Sequence, residues 1–142
     1  MKLIRHVLDT KGREVISIDP DATVLDAIKL MAEKGIGALT VMRDGRLIGM
    51  LSERDYARKV ILKGRSSRKT RVSEIMTPDV ITTTSSRSVH ECMELVTGKR
   101  IRHLPVVEDG EVLGLVSLGD LVQAIIADQQ AEIEHLEQYI KG

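Results

Sequence analysis

The chain has 142 residues with Lys plus Arg and Asp plus Glu at 21 each, so its formal net charge is zero and no global field draws nucleic acid or an anionic membrane. Phe and Trp are absent and Tyr occurs twice, which leaves Ile, Leu, Val, Met and Ala to fill the interior and gives any ligand ring aliphatic walls. The single Cys92 excludes an internal disulfide, and no signal peptide or membrane-length apolar run opens the chain, so a reducing cytoplasm is the expected setting.

Residues 15–18 read as a short strand, and Thr23 opens an amphipathic helix through Val24, Leu25, Ile28 and Met31. Apolar runs at 38–42 and 47–51 flank Asp44-Gly45, a two-residue hairpin signal because a type I′ turn needs positive φ at both positions. A further helix follows, giving the order β-α-β-β-α. Residues 63–71 hold five basic side chains and no acid, a linker's composition, and 72–76 fit one helical turn before Pro78 stops it.

The same order then recurs. A strand is expected at 80–83, a helix from Ser88 with Val89, Cys92, Met93 and Val96 on one face, and strands at 104–107 and 112–116 around Asp109-Gly110. Shifted by 65, residues 15–56 fall on 80–121 without a gap and 13 of 42 positions are identical, which marks an internal duplication. A unit this short cannot bury both faces of its own sheet, so the two copies are expected to share one core in an α/β fold. The tail over 121–140 reads as a long helix with Ile126, Ile133 and Ile140 spaced by seven. That stripe is expected to lie on the protein's own core or on a dimer partner rather than to form a free-standing zipper.

The sharpest local signal is Gly49-Met-Leu-Ser52-Glu-Arg-Asp55 and its copy Gly114-Leu-Val-Ser117-Leu-Gly-Asp120. In each, a hydroxyl sits at a helix entry with a carboxylate three residues later. One reading is a capping box. The other is a nucleotide site, with Ser and the first-turn N–H groups taking a phosphate and Asp accepting from a ribose diol. Both readings stand on the sequence alone.

Two copies of this motif on β-α-β-β-α units resemble the cystathionine-β-synthase (CBS) domain family over about nine tenths of the chain, and 72–78 is similar to the segment that commonly precedes a second such domain. The resemblance implies tandem repeats with pseudo-twofold symmetry, a Bateman module, here 8–62 and 72–127 joined by the 63–71 linker and followed by a helical extension at 128–142. It implies a non-enzymatic regulatory or energy-sensing module whose clefts bind AMP, ATP, NAD(H) or a related adenosyl ligand, with Ser52 and Asp55, and Ser117 and Asp120, on phosphate and ribose. Ile101, Arg102, His103, Leu104 and Pro105 are similar to the basic segment on the ligand side of many members, whereas the first copy has Gly37 and Ala38 where Arg102 and His103 stand. Arg54 and Arg58, and Lys69 and Thr70 in the linker, are further candidate contacts. Ile16, Ile18 and Ile36 in one cleft, and Ile81, Thr83 and Ile101 in the other, are candidates for the adenine.

A homodimer and a separate effector protein are the partners expected, with no membrane and no metal. A ligand-free dimeric scaffold is the alternative. Nucleic-acid binding through the basic run is disfavoured by the zero net charge and missing aromatics. His6, His90, His103 and His135 share no metal-ligand spacing, and no catalytic constellation is found.

Overall fold

The computed structural model describes residues 2–141 as two compact units, neither of them contiguous in sequence. One comprises 15–81 with 110–112, and the other takes 2–14, 82–109 and 113–141. The N-terminal helix α1 (Ile4–Lys11) therefore belongs with the second copy, although it precedes the first.

In the unit built on the first copy, β1 (Ser17–Ile18) runs parallel to β2 (Ala38–Arg43), and β2 pairs antiparallel with β3 (Arg46–Ser52). The Asp44-Gly45 turn has φ of 51° and 76°, the doubly positive geometry its residues call for. Helix α2 (Val24–Lys34) is capped by Thr23, whose hydroxyl accepts from the Asp26 N–H at 3.1 Å, and Gly35 closes it at φ +65°. Val24, Ala27 and Met31 form its buried face and pack with Leu39, Val41, Leu51, Val60, Val72 and Ile75.

The basic 63–71 stretch is fastened to that helix. Two first-turn N–H groups of α2, those of Val24 and Leu25, donate to the carbonyls of Thr70 and Ser67 at 2.9 and 3.0 Å, so groups that a helix start leaves unpaired are satisfied. After it, α4 (Val72–Ile75) forms the single turn expected before Pro78.

The second copy repeats the plan in α5 (Val89–Lys99), β4 (His103–Glu108) and β5 (Glu111–Ser117), with Asp109 and Gly110 at φ 51° and 78°. The strand expected at 80–83 does not form; only Thr83 pairs, with Val106, in the register that Ile18 keeps with Val41. The cause is one missing donor. In the first copy the Thr40 N–H extends the ladder to the Ile16 carbonyl at 3.3 Å, and the equivalent residue of the second copy is Pro105, which has no N–H.

Helix α6 (Leu118–Lys141) runs for 24 residues and buries only Leu121 and Ala124. Its seven-residue stripe does not lie on the protein's own core: Ile126, Ile133 and Ile140 are 47 %, 54 % and 82 % exposed.

Both motif glycines are explained by what crosses them. A Cβ on Gly49 would lie 2.6 Å from the Met76 sulfur, and one on Gly114 would lie 2.6 Å from a Leu8 methyl. The segment after α4 thus lies on β3 and α1 on β5, each too close for a side chain.

Candidate functional site

Ser52 ends β3 and caps α3 (Glu53–Tyr56). Its hydroxyl accepts from the Asp55 N–H at 3.2 Å, while Asp55 Oδ2 accepts from the Ser52 N–H at 3.0 Å. Ser117 and Asp120 do the same at the start of α6, at 3.1 and 2.8 Å. The capping box therefore forms in both copies. It holds each hydroxyl and carboxylate rigidly at a strand end, as a ligand site also requires.

A second strand end meets each motif. The Glu53 N–H donates to the Gly37 carbonyl at 3.0 Å, and the Leu118 N–H donates to the Arg102 carbonyl at 2.8 Å. Ser117, Asp120 and the exposed Arg102 are thereby brought together, and Ser52 and Asp55 meet a glycine in the corresponding place. His103 is half-buried at the start of β4, with Leu104 and Pro105 buried after it. Arg54 is exposed in α3, and Arg58 is exposed in the π-helical turn Ala57–Ile61 that continues it.

Other candidates fall elsewhere. Thr70 is 2 % exposed and its carbonyl holds the N-terminal end of α2, whereas Ser52 pairs with Ala38, just past the C-terminal end of that helix. An 11-residue helix is about 16 Å long, so neither Thr70 nor the exposed Lys69 beside it is brought to the Ser52 motif of its unit. Thr83 is 4 % exposed with its hydroxyl 3.2 Å from the Cys92 sulfur, turned into the core rather than towards a ring. Burial pushes the Cys92 thiol up, which suits a structural role. Ile16, Ile18, Ile36, Ile81 and Ile101 are half-buried, so each keeps some accessible apolar surface.

Two lysines pair with the motif aspartates. Lys59 Nζ lies 3.1 Å from Asp55 Oδ1, and Lys11 Nζ lies 2.6 Å from Asp120 Oδ2. The first was readable from its i,i+4 spacing to Asp55. The second lies 109 residues from its partner and carries no sequence signal. Burial works to raise the Asp120 pKa, but the Lys11 bond and the Ser117 N–H outweigh it and hold the carboxyl below its ordinary value.

No helix among the described residues is long and apolar enough to cross a membrane, and no three of their His, Cys, Asp and Glu side chains are grouped to hold a metal ion. The CBS domain family matches this chain twice, over residues 5–62 and 72–127. The mitochondrial CBS domain-containing protein CBSX3 of Arabidopsis thaliana is 40 % identical over 148 residues, 98 % of this chain and 72 % of that protein. The solved structure of a signal-transduction protein with CBS domains from Burkholderia ambifaria superposes with a TM-score of 0.87 at 50 % identity, over 90 % of this chain and 96 % of its own. The CBS domain pair of protein MJ0100, solved in complex with 5′-methylthioadenosine and S-adenosyl-L-methionine, superposes with a TM-score of 0.78 at 25 % identity, over 87 % of this chain and 99 % of that one. Two family matches on two copies of one motif, each built into the same strand-end box, make this chain a member of the CBS-domain family with a tandem pair of repeats.

Proposed function

We propose that this CBS pair is a non-enzymatic regulatory module of a reducing, cytoplasm-like compartment that senses adenine nucleotides. The observation that supports the reading is the Ser117 hydroxyl and the ionised Asp120 carboxylate held together at one strand end, where the Leu118 N–H donates to the Arg102 carbonyl and so brings the backbone of the exposed Arg102 beside the motif. A carboxylate accepts both hydroxyls of a ribose diol, and a hydroxyl with a guanidinium suits a phosphate. The adenosyl ligands of the MJ0100 pair support the same class of ligand.

The two copies are not equivalent in this reading. With Arg102 beside its motif the second should bind more tightly, and the first, relying on Arg54 or Arg58, should be weaker or prefer another nucleotide. Melting curves with AMP, ATP, NADH and S-adenosylmethionine test the reading, since a ligand of the native state alone raises stability by mass action. At least one should raise the melting temperature; no shift with any of them favours the ligand-free scaffold. Titration calorimetry on Arg102→Ala should then lose the tighter of two binding events, and Arg54→Ala chiefly the weaker. Equal losses from the two substitutions would refute the asymmetry.

The module is also proposed to act as a homodimer. Ile61, Leu62, Val122, Ile126, Ile133, Leu136 and Ile140 are exposed apolar side chains, more than scattered single residues account for. Light scattering at micromolar concentration should give twice the chain mass, and Ile133→Glu with Ile140→Glu should weaken the dimer. A wild-type monomer under these conditions rules the dimer out.

A further inference from the structure

Among the described residues, four helix starts carry a side-chain hydroxyl cap: Thr23, Ser52, Ser88 and Ser117. An acid stands three residues after each, namely Asp26, Asp55, Glu91 and Asp120. Among the described residues, Asp26 and Glu91 form no ion pair, whereas Asp55 and Asp120 each hold a lysine. A cap therefore does not need the cation. Glu74, which accepts from the Arg71 N–H at the start of α4, also holds a cation, Arg65 at 2.6 Å, but that pair is exposed; the two motif aspartates hold theirs on carboxylates that are largely buried.

The lysines are not copies of one another. The residue 65 places after Lys11 is Met76, and the residue 65 places after Lys59 is Ala124, so duplication supplied neither from the other. Lys59 stands on the helical stretch that follows its own motif and also donates to the Ile75 carbonyl of α4 at 2.9 Å. Lys11 is the last residue of α1, a segment that precedes the repeat, and also donates to the Leu115 carbonyl of β5 at 2.6 Å. Two unrelated positions thus place an ammonium on the same carboxylate. Each is also held by a backbone carbonyl, which fixes the ammonium against the acid instead of leaving a long side chain to sample solvent.

Resting on the adenine-nucleotide reading above, we propose that Lys11 and Lys59 determine the charge class of the ligand, making each site select a 5′-phosphorylated adenosine over a neutral one. An unpaired aspartate on the ribose would repel a phosphate bound at the neighbouring serine, because like charges a few ångströms apart disfavour each other strongly at a partly desolvated site. The lysine cancels that repulsion; at Asp120 it and the Ser117 N–H share Oδ2 and leave Oδ1 for the diol, whereas at Asp55 the diol has to displace the Ser52 or Thr77 hydroxyl from the carboxylate. The serine hydroxyl, with Arg102 in the second copy, then sees a phosphate without an opposing charge. A neutral adenosyl compound gains nothing from the lysine.

Titration calorimetry with AMP and with adenosine, on the wild type, Lys11→Met, Lys59→Met and Lys11→Arg, tests this. Wild type should prefer AMP. Lys11→Met should lose about tenfold in AMP affinity at the tighter event while adenosine changes less than about threefold, Lys59→Met should do the same at the weaker event, and Lys11→Arg should keep the AMP preference. Equal losses for AMP and adenosine, or no loss for either, overturn the proposal and leave the lysines a purely structural part. A wild type that binds neither compound instead refutes the nucleotide reading itself. Melting temperatures of the Met variants within a few degrees of wild type exclude loss of fold as the cause.

Discussion

Asp120→Ala is expected to cut nucleotide affinity far more than it harms the fold. Two ribose hydrogen bonds to a charged acceptor are worth about 2–4 kcal/mol, whereas the loss of a helix cap costs about 1 kcal/mol. The substitution also releases Lys11 from its 2.6 Å partner, but that ammonium keeps the Leu115 carbonyl and reaches solvent, so it is not left buried and unpaired. Calorimetry and a urea titration on one preparation separate the two effects: unchanged affinity beside lowered stability would mean that the motif is a cap and nothing more. Acid supplies an independent check. Because the Asp120 pKa is held below its unfolded value, its stabilising contribution is complete above about pH 4 and is lost as pH falls through the depressed folded value. Asp120→Asn should lack that part of the acid dependence, and a variant with the wild-type profile would contradict the pairing.

Leu8→Ala is expected to be among the most destabilising single changes, at about 2–5 kcal/mol, since Leu8 is fully buried and lies against Gly114 on β5. Gly114→Ala alone should cost about 1–3 kcal/mol by forcing its new methyl into the Leu8 side chain. Together they should be far less harmful than their sum, because the space left by Leu8 receives the new Cβ. Chemical denaturation of the two single variants and the double decides this. Strict additivity would mean that α1 does not lie on β5 as described.

The parts of this fold that were readable are those whose cause is local in the chain. The Asp44-Gly45 and Asp109-Gly110 turns and the Thr23 and Ser88 caps each depend on residues within a few positions of one another, and all are present. Family resemblance reached the tandem CBS architecture from the same residues. Pro105 belongs to the segment that resembles the family's ligand side, but its effect in the fold is one missing N–H in a parallel ladder. Thr83 and Thr70 are candidate ligand contacts in the sequence, but each has a partner within its unit that lets it be buried: the Cys92 sulfur for the Thr83 hydroxyl, and the Val24 N–H for the Thr70 carbonyl. Lys11 was beyond reach because nothing near residue 11 announces a carboxylate at residue 120.

The interleaving of the two units changes what it means to divide this protein. A cut in the 63–71 stretch looks like a clean separation of two domains, yet it would strip the first copy of the residues that satisfy α2 and lie over β3, and it would leave α1 on the wrong fragment for the second. Each half made alone lacks a piece that the other carries. Co-expression of the severed pieces is then a complementation experiment, in which neither folds until its counterpart lends a segment. The order of the chain can also be rewired without that loss, because a permuted gene that delivers 2–14 directly before residue 82 keeps α1 with the strand it covers.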